Sequence, residues 1–90
     1  MKAKHYESKE MDIIPNPMTN RSVLTWSNPS NQATHIRIAD VSGRLVNELQ
    51  KSFGSQTVLD RNDLIAGFYF VTATLENGTT YTRKLIITEK

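Results

Sequence analysis

Residues 67–87 read GFYFVTATLENGTTYTRKLII, and this stretch decides the fold. Val, Ile, Thr, Tyr and Phe dominate it, the residue types that suit a pleated, half-buried surface. Asn77-Gly78 divides it into two strand-like runs and is the preferred pair for a two-residue type I′ turn, in which both residues take positive φ. That turn pairs Leu75 with Thr80, Tyr69 with Ile86 and Phe70 with Leu85. Tyr69, Val71 and Ala73 then share the core-facing side, with Ile86 opposite Tyr69. The other side carries Phe68, Phe70, Leu85 and Ile87 and is also apolar. A strand pair apolar on both faces has a second covering layer or an exposed patch, and these four side chains form an expected docking patch.

Moving back from the hairpin, RNDLIAG at 61–67 is a compact corner and QTVLD at 56–60 a short strand. RLVNELQK at 44–51 follows a turn, DVSG at 40–43, and reads as the partner of the alternating run ATHIRIAD at 33–40. Its spacing also fits a short helix. In DVSG, Asp40 can accept from backbone amides and Gly43 can take positive φ. RSVLTW at 21–26 alternates, with Leu24 and Trp26 on one face. DIIPNP at 12–17 is a short apolar step ended by two prolines, which fit only an edge or a turn. About seven short strands and no convincing amphipathic helix predict an all-β domain. The predicted architecture is a small antiparallel Ig-like β-sandwich that ends in a C-terminal β-hairpin. The tyrosine corner and the Cys–Trp–Cys pattern of true immunoglobulin domains are not expected.

The 90 residues allow one domain, which buries roughly 60–65% of the surface its unfolded chain exposes. Residues 1–11 are polar and charged and are expected to form a flexible linker or tail, leaving 12–90 as the folded domain. The first residues contain no apolar core of a signal peptide, so an export signal, where one is used, is expected on a longer parent protein. With no cysteine, neither disulfides nor thiolate metal sites are available. Eleven basic and nine acidic residues give a net charge of +2, too evenly spread to argue for nucleic acid. No apolar run approaches the ~18 residues of a membrane span.

Chemistry-bearing residues are few. His5 and His35 have no companion ligands at metal-binding spacing. Asp40, Asp60 and Asp63 sit at turns, where aspartate commonly accepts backbone hydrogen bonds. Ser42-Gly43 lacks the glycine pattern of a nucleophile elbow, and the four glycines are scattered rather than gathered in a phosphate loop. The expectation is a non-enzyme without cofactor or metal.

Three separated signatures point further. They are Pro15-Asn16-Pro17; Asp40, Gly43 and Arg44 after an alternating strand; and Leu64, Gly67, Tyr69 and Val71, followed by Lys84 and the closing LIITEK run at 85–90. In this order the sequence resembles the type A C-terminal sorting domain of proteins exported by the type IX secretion system of Bacteroidota. The resemblance covers about residues 12–90. Met18 stands where an aromatic is usual after the proline pair, and Trp26 where phenylalanine is common. The resemblance implies a signal that carries an N-terminal cargo domain through the periplasm and across the outer membrane. Its implied partners are the type IX translocon and a sortase-like peptidase, which often removes the domain and can attach the cargo to the cell surface. The cargo would then be secreted or surface-bound. The alternative is a non-catalytic structural or glycan-binding accessory sandwich of a larger secreted protein. Gly67 is expected to supply a backbone geometry, or a close approach, that a side chain would block.

Overall fold

The computed structural model describes residues 11–26, 33–53 and 56–89. These form seven strands: β1 (Met11–Ile14), β2 (Arg21–Trp26), β3 (Ala33–Asp40), β4 (Leu45–Phe53), β5 (Gln56–Asp60), β6 (Gly67–Leu75) and β7 (Thr80–Ile87). The segment after the DVSG turn, whose spacing also suits a helix, is strand β4. Pairing is antiparallel throughout the named strands, in a three-stranded sheet β1-β2-β5 and a four-stranded sheet β4-β3-β6-β7. Alternation along each strand sends one set of side chains inward. Met11, Ile13, Leu24, Trp26 and Leu59 from one sheet meet Ile36, Ile38, Tyr69, Val71, Leu75, Leu85 and Ile87 from the other in a single core. This is the antiparallel sandwich that the alternating segments predict.

Met11 corrects the expected boundary of the tail: it pairs with Trp26 and is fully buried. The expectation of a flexible linker at 1–10 lies outside the described residues.

The terminal hairpin differs from its expected form by one residue of register. The observed pairs are Phe68 with Ile86, Tyr69 with Leu85, Phe70 with Lys84 and Thr74 with Thr80. Asn77 does not adopt positive φ; Gly78 does, at +91°. The Gly78 amide donates to the Leu75 carbonyl (3.0 Å), and the Leu75 amide to the Thr79 carbonyl (2.8 Å). The connection is therefore a three-residue loop, a type I turn closed by a glycine in the left-handed region, rather than a type I′ turn. The Asn77 side chain reinforces it by accepting from the Thr79 amide (3.0 Å). Because side chains alternate with period 2, one residue of slip moves a whole strand's set to the other face. Leu85 and Ile87 are thus in the core, and Ile86 and Lys84 stand on the outer face beside Phe68 and Phe70.

The chain crosses between sheets at the proline pair. After β1 pairs with β2, Pro15–Pro17 carries it over to the edge of β7, where Met18 forms a parallel bridge with Ile87. The Ile14–Pro15 and Asn16–Pro17 peptide bonds are both cis. Met18 is fully buried, and Ser22 donates its hydroxyl to the Pro15 carbonyl. This crossing laces the β1 and β7 edges together. On the opposite side, β4 and β5 are the outer strands of their sheets.

Candidate functional site

One end of the sandwich brings together residues from two of the three signatures singled out in the sequence. The β3–β4 hairpin contributes Asp40, Val41 and Arg44, and the corner before β6 contributes Asp63 to Ala66. With Val46, Gly67, Phe68 and Tyr69 they line an open cleft of ≈ 430 Å³.

Each wall has a local cause. Asp40 organises the hairpin: its Oδ1 accepts from the amides of Ser42 (2.9 Å) and Arg44 (3.0 Å) and from the Ser42 hydroxyl (2.6 Å). Arg44 lies 3.3 Å from Oδ2, and Gly43 turns the chain at φ +90°. The Ser42 hydroxyl, then the amides and the Arg44 charge, hold the Asp40 carboxyl below the ordinary value of 3.8, against a smaller opposing effect of burial. Asp40 is thereby a builder of the turn.

Tyr69 organises the corner. Its ring is buried, and its hydroxyl donates to the carbonyl of Ile65, four residues upstream (2.6 Å). A tyrosine at the start of the sixth strand that bonds back to the preceding corner is the tyrosine-corner arrangement of immunoglobulin-like sandwiches. This corrects the expectation that the mark is missing; the signal was Tyr69 itself, two residues after Gly67. Gly67 has φ +153°, and a Cβ built there would meet nothing within 4 Å. The need is for backbone geometry, not for close approach. Leu64 packs partly buried against the core, and Val71 lies wholly within it.

Apolar side chains rim the cleft. Val41 is 69% exposed, Ile65 77% and Phe68 57%. On the adjoining outer face of the four-stranded sheet, Leu45, Ala39, Phe70 and Lys84 are successive cross-strand neighbours, and Ile86 pairs with Phe68. Lys84 Nζ lies 5.7 Å from the centre of the Phe68 ring, within cation–π range. The patch expected from the sequence therefore changes membership. Phe68 and Phe70 belong to it, Leu85 and Ile87 do not, and Ile86 was missed because of the register; Leu45 and Val41 join it from the separate β3–β4 hairpin.

The proline motif stands apart from the cleft, at the other edge of β7. Asn16 Nδ2 donates to the Lys84 carbonyl (2.8 Å), and its Oδ1 accepts from the Ile86 amide (3.0 Å). The Met18 amide donates to the Ile86 carbonyl (2.7 Å), and the Thr88 amide to the Met18 carbonyl (2.9 Å). Asn16 thus stands in for a strand's peptide group along the edge.

Sequence reasoning missed Arg61. It is buried, with Nη1 donating to the carbonyls of Thr19 (2.9 Å) and Thr88 (2.7 Å) and Nε to that of Leu64 (2.9 Å). Nothing in its neighbourhood in the sequence distinguishes it from a solvated arginine. Among the described residues, no three His, Asp or Glu side chains converge to hold a metal ion.

This end of the molecule is thus a cleft rimmed by exposed apolar side chains. A family model described as the secretion system C-terminal sorting domain matches residues 12–88, and the chain belongs to that family, the sorting domains of type IX secretion. A search of curated proteins finds no match. Membership implies a parent cargo protein, the type IX secretion system as partner, and a secreted or cell-surface destination by way of the outer membrane.

Proposed function

We propose that the type IX machinery reads this sorting domain at the cleft end of the sandwich, through the apolar rim Val41, Ile65 and Phe68 and the adjoining Phe70, Lys84 and Ile86. The observation that carries the reading is convergence. Asp40, Arg44, Leu64, Gly67 and Tyr69, from two separated motifs, line one cleft, and exposed apolar side chains surround it. Asp40, Gly67 and Tyr69 shape the walls, while Phe68 and its neighbours make the contact. After translocation, a sortase-like peptidase cuts on the N-terminal side of the sandwich and releases the cargo or joins it to the cell surface. The domain itself is not catalytic.

The test is a reporter fused ahead of residues 11–90 in a type IX-competent host. Phe68→Ala, Ile65→Ser and Lys84→Ala should lower export while circular dichroism shows an unchanged fold. Export at the wild-type level from all three folded variants overturns the assignment of this surface.

A further inference from the structure

We infer that Asn16 and Arg61 are positioning residues for sorting: together they clamp the outer edge and the end of β7, and so hold Lys84 and Ile86 in place beside Phe68 and Phe70. The inference rests on the reading of the cleft end as the recognised surface.

An edge strand opens readily, because its backbone groups are satisfied on one side only. Here β7 is held on both. β6 pairs with one edge, and the Asn16 side chain and Met18 backbone occupy the other at the Lys84 carbonyl, the Ile86 amide and carbonyl, and the Thr88 amide. The groups that Asn16 engages are the peptide groups of the two residues whose side chains enter the patch. A shift of this edge moves Lys84 and Ile86 directly. An amide side chain is suited to the task, since it alone offers a donor and an acceptor in the geometry of a peptide group.

Arg61 secures the end. Its guanidinium joins the carbonyls of Thr19, Leu64 and Thr88, linking the segment after the proline pair, the corner of the cleft and the residue that follows β7. The Arg61 amide also donates to the Asn20 carbonyl (2.9 Å). The planar fork reaches several carbonyls at once, which a lysine ammonium on a flexible stem does not reproduce. Thr88 adds a side-chain link, with its hydroxyl 3.3 Å from that of Thr19. The proline motif, distant from the cleft, thus serves the same surface through the backbone of β7.

The experiment uses the full reporter fusion for export and the isolated domain for amide hydrogen exchange. The variants are Asn16→Ala and, as a second probe, Arg61→Lys, with Leu59→Val as a core control selected for a comparable fall in melting temperature. Losing one or two edge hydrogen bonds should speed exchange at Ile86 about tenfold in Asn16→Ala, and Val71 should remain slow. Export of Asn16→Ala and Arg61→Lys should fall several-fold, whereas Leu59→Val should export normally. Wild-type export from an Asn16→Ala domain with a loosened Ile86 overturns the inference, as does an equal loss from Leu59→Val, which would reduce the clamp to a contribution to stability. Should Asn16→Ala fail to fold, the same comparison is made with Arg61→Lys at Thr88. Normal export from the folded Phe68 and Lys84 variants marks failure of the surface reading instead. Impaired export there with normal export from Asn16→Ala marks failure of the clamp alone.

Discussion

At the residue scale, the turn and corner residues act by fixing backbone, and their substitutions separate accordingly. Gly67 has open space around its α-carbon but φ of +153°, which L side chains rarely adopt. Gly67→Ala should therefore destabilise the domain by about 1–3 kcal/mol through backbone strain, with no cavity or clash to relieve. Urea unfolding checks this, and an unchanged midpoint would mean that the corner relaxes without cost. Asp40 offers a different signature. Its carboxyl is held below 3.8, first by the Ser42 hydroxyl and then by the Ser42 and Arg44 amides and the Arg44 charge, which outweigh the opposing effect of burial. The unfolded chain lacks those bonds and binds the proton more readily, so stability rises with pH between the two pKa values. The contribution is fully present above about pH 4–5 and is lost as pH falls through the folded pKa. The gap in urea midpoint between wild type and Asp40→Asn should be constant near neutrality and should close on acidification. A gap that persists unchanged at pH 3 contradicts the role of the carboxylate.

At the element scale, the terminal hairpin marks where legibility ended. Alternation in RSVLTW and ATHIRIAD, and the turn residues around Asp40 and Asn77, were enough to locate the strands and the sandwich. Strand existence depends on local pattern, which the sequence displays directly. Register depends on a single turn conformation, and Asn77-Gly78 is compatible with both a two-residue and a three-residue loop. Because both faces of β7 carry apolar residues, pattern could not choose between them: Leu85 and Ile87 are as plausible outside as Ile86 is inside. The long-range bonds of Asn16 and Arg61 were invisible for a related reason, since they target backbone carbonyls and amides that carry no side-chain identity. The register has a sharp consequence for mutation. Leu85 is wholly buried, so Leu85→Ala should cost about 2–5 kcal/mol. Ile86, only partly buried on the outer face, should cost distinctly less on truncation to alanine. Thermal melting of the two variants decides the matter, and equal losses would be incompatible with the observed pairing.

At the scale of the whole molecule, the segment before β2 ties the two sheets together along one side. The β1–β7 side is laced by the proline crossing, buried Met18, the Asn16 amide and an ion pair between Arg83 and Asp12 (3.5 Å). On the opposite side the chain passes from β4 in one sheet to β5 in the other, and the groove between β4 and the corner continues from the cleft through Val46, Asp63 and Leu64. The lacing of the β1–β7 side thus reaches Lys84 and Ile86 through the backbone of β7. The N-terminal segment is accordingly part of the structural unit, because β1 and the crossing supply Met11, Ile13 and Met18 to the core. A small domain has a margin of only ~5 kcal/mol, and each large core side chain removed costs about 2–5 kcal/mol. A domain beginning at Met11 should therefore melt like the full chain. One beginning at Thr19 loses three core residues and the cover of β7's edge together, and should not fold. Limited proteolysis makes the same comparison without redesign: trimming should stop before Met11, and any cut between Met11 and Met18 should be followed by loss of the whole domain. A stable, dispersed nuclear magnetic resonance spectrum from residues 19–90 would show that the crossing decorates a sandwich already complete without it.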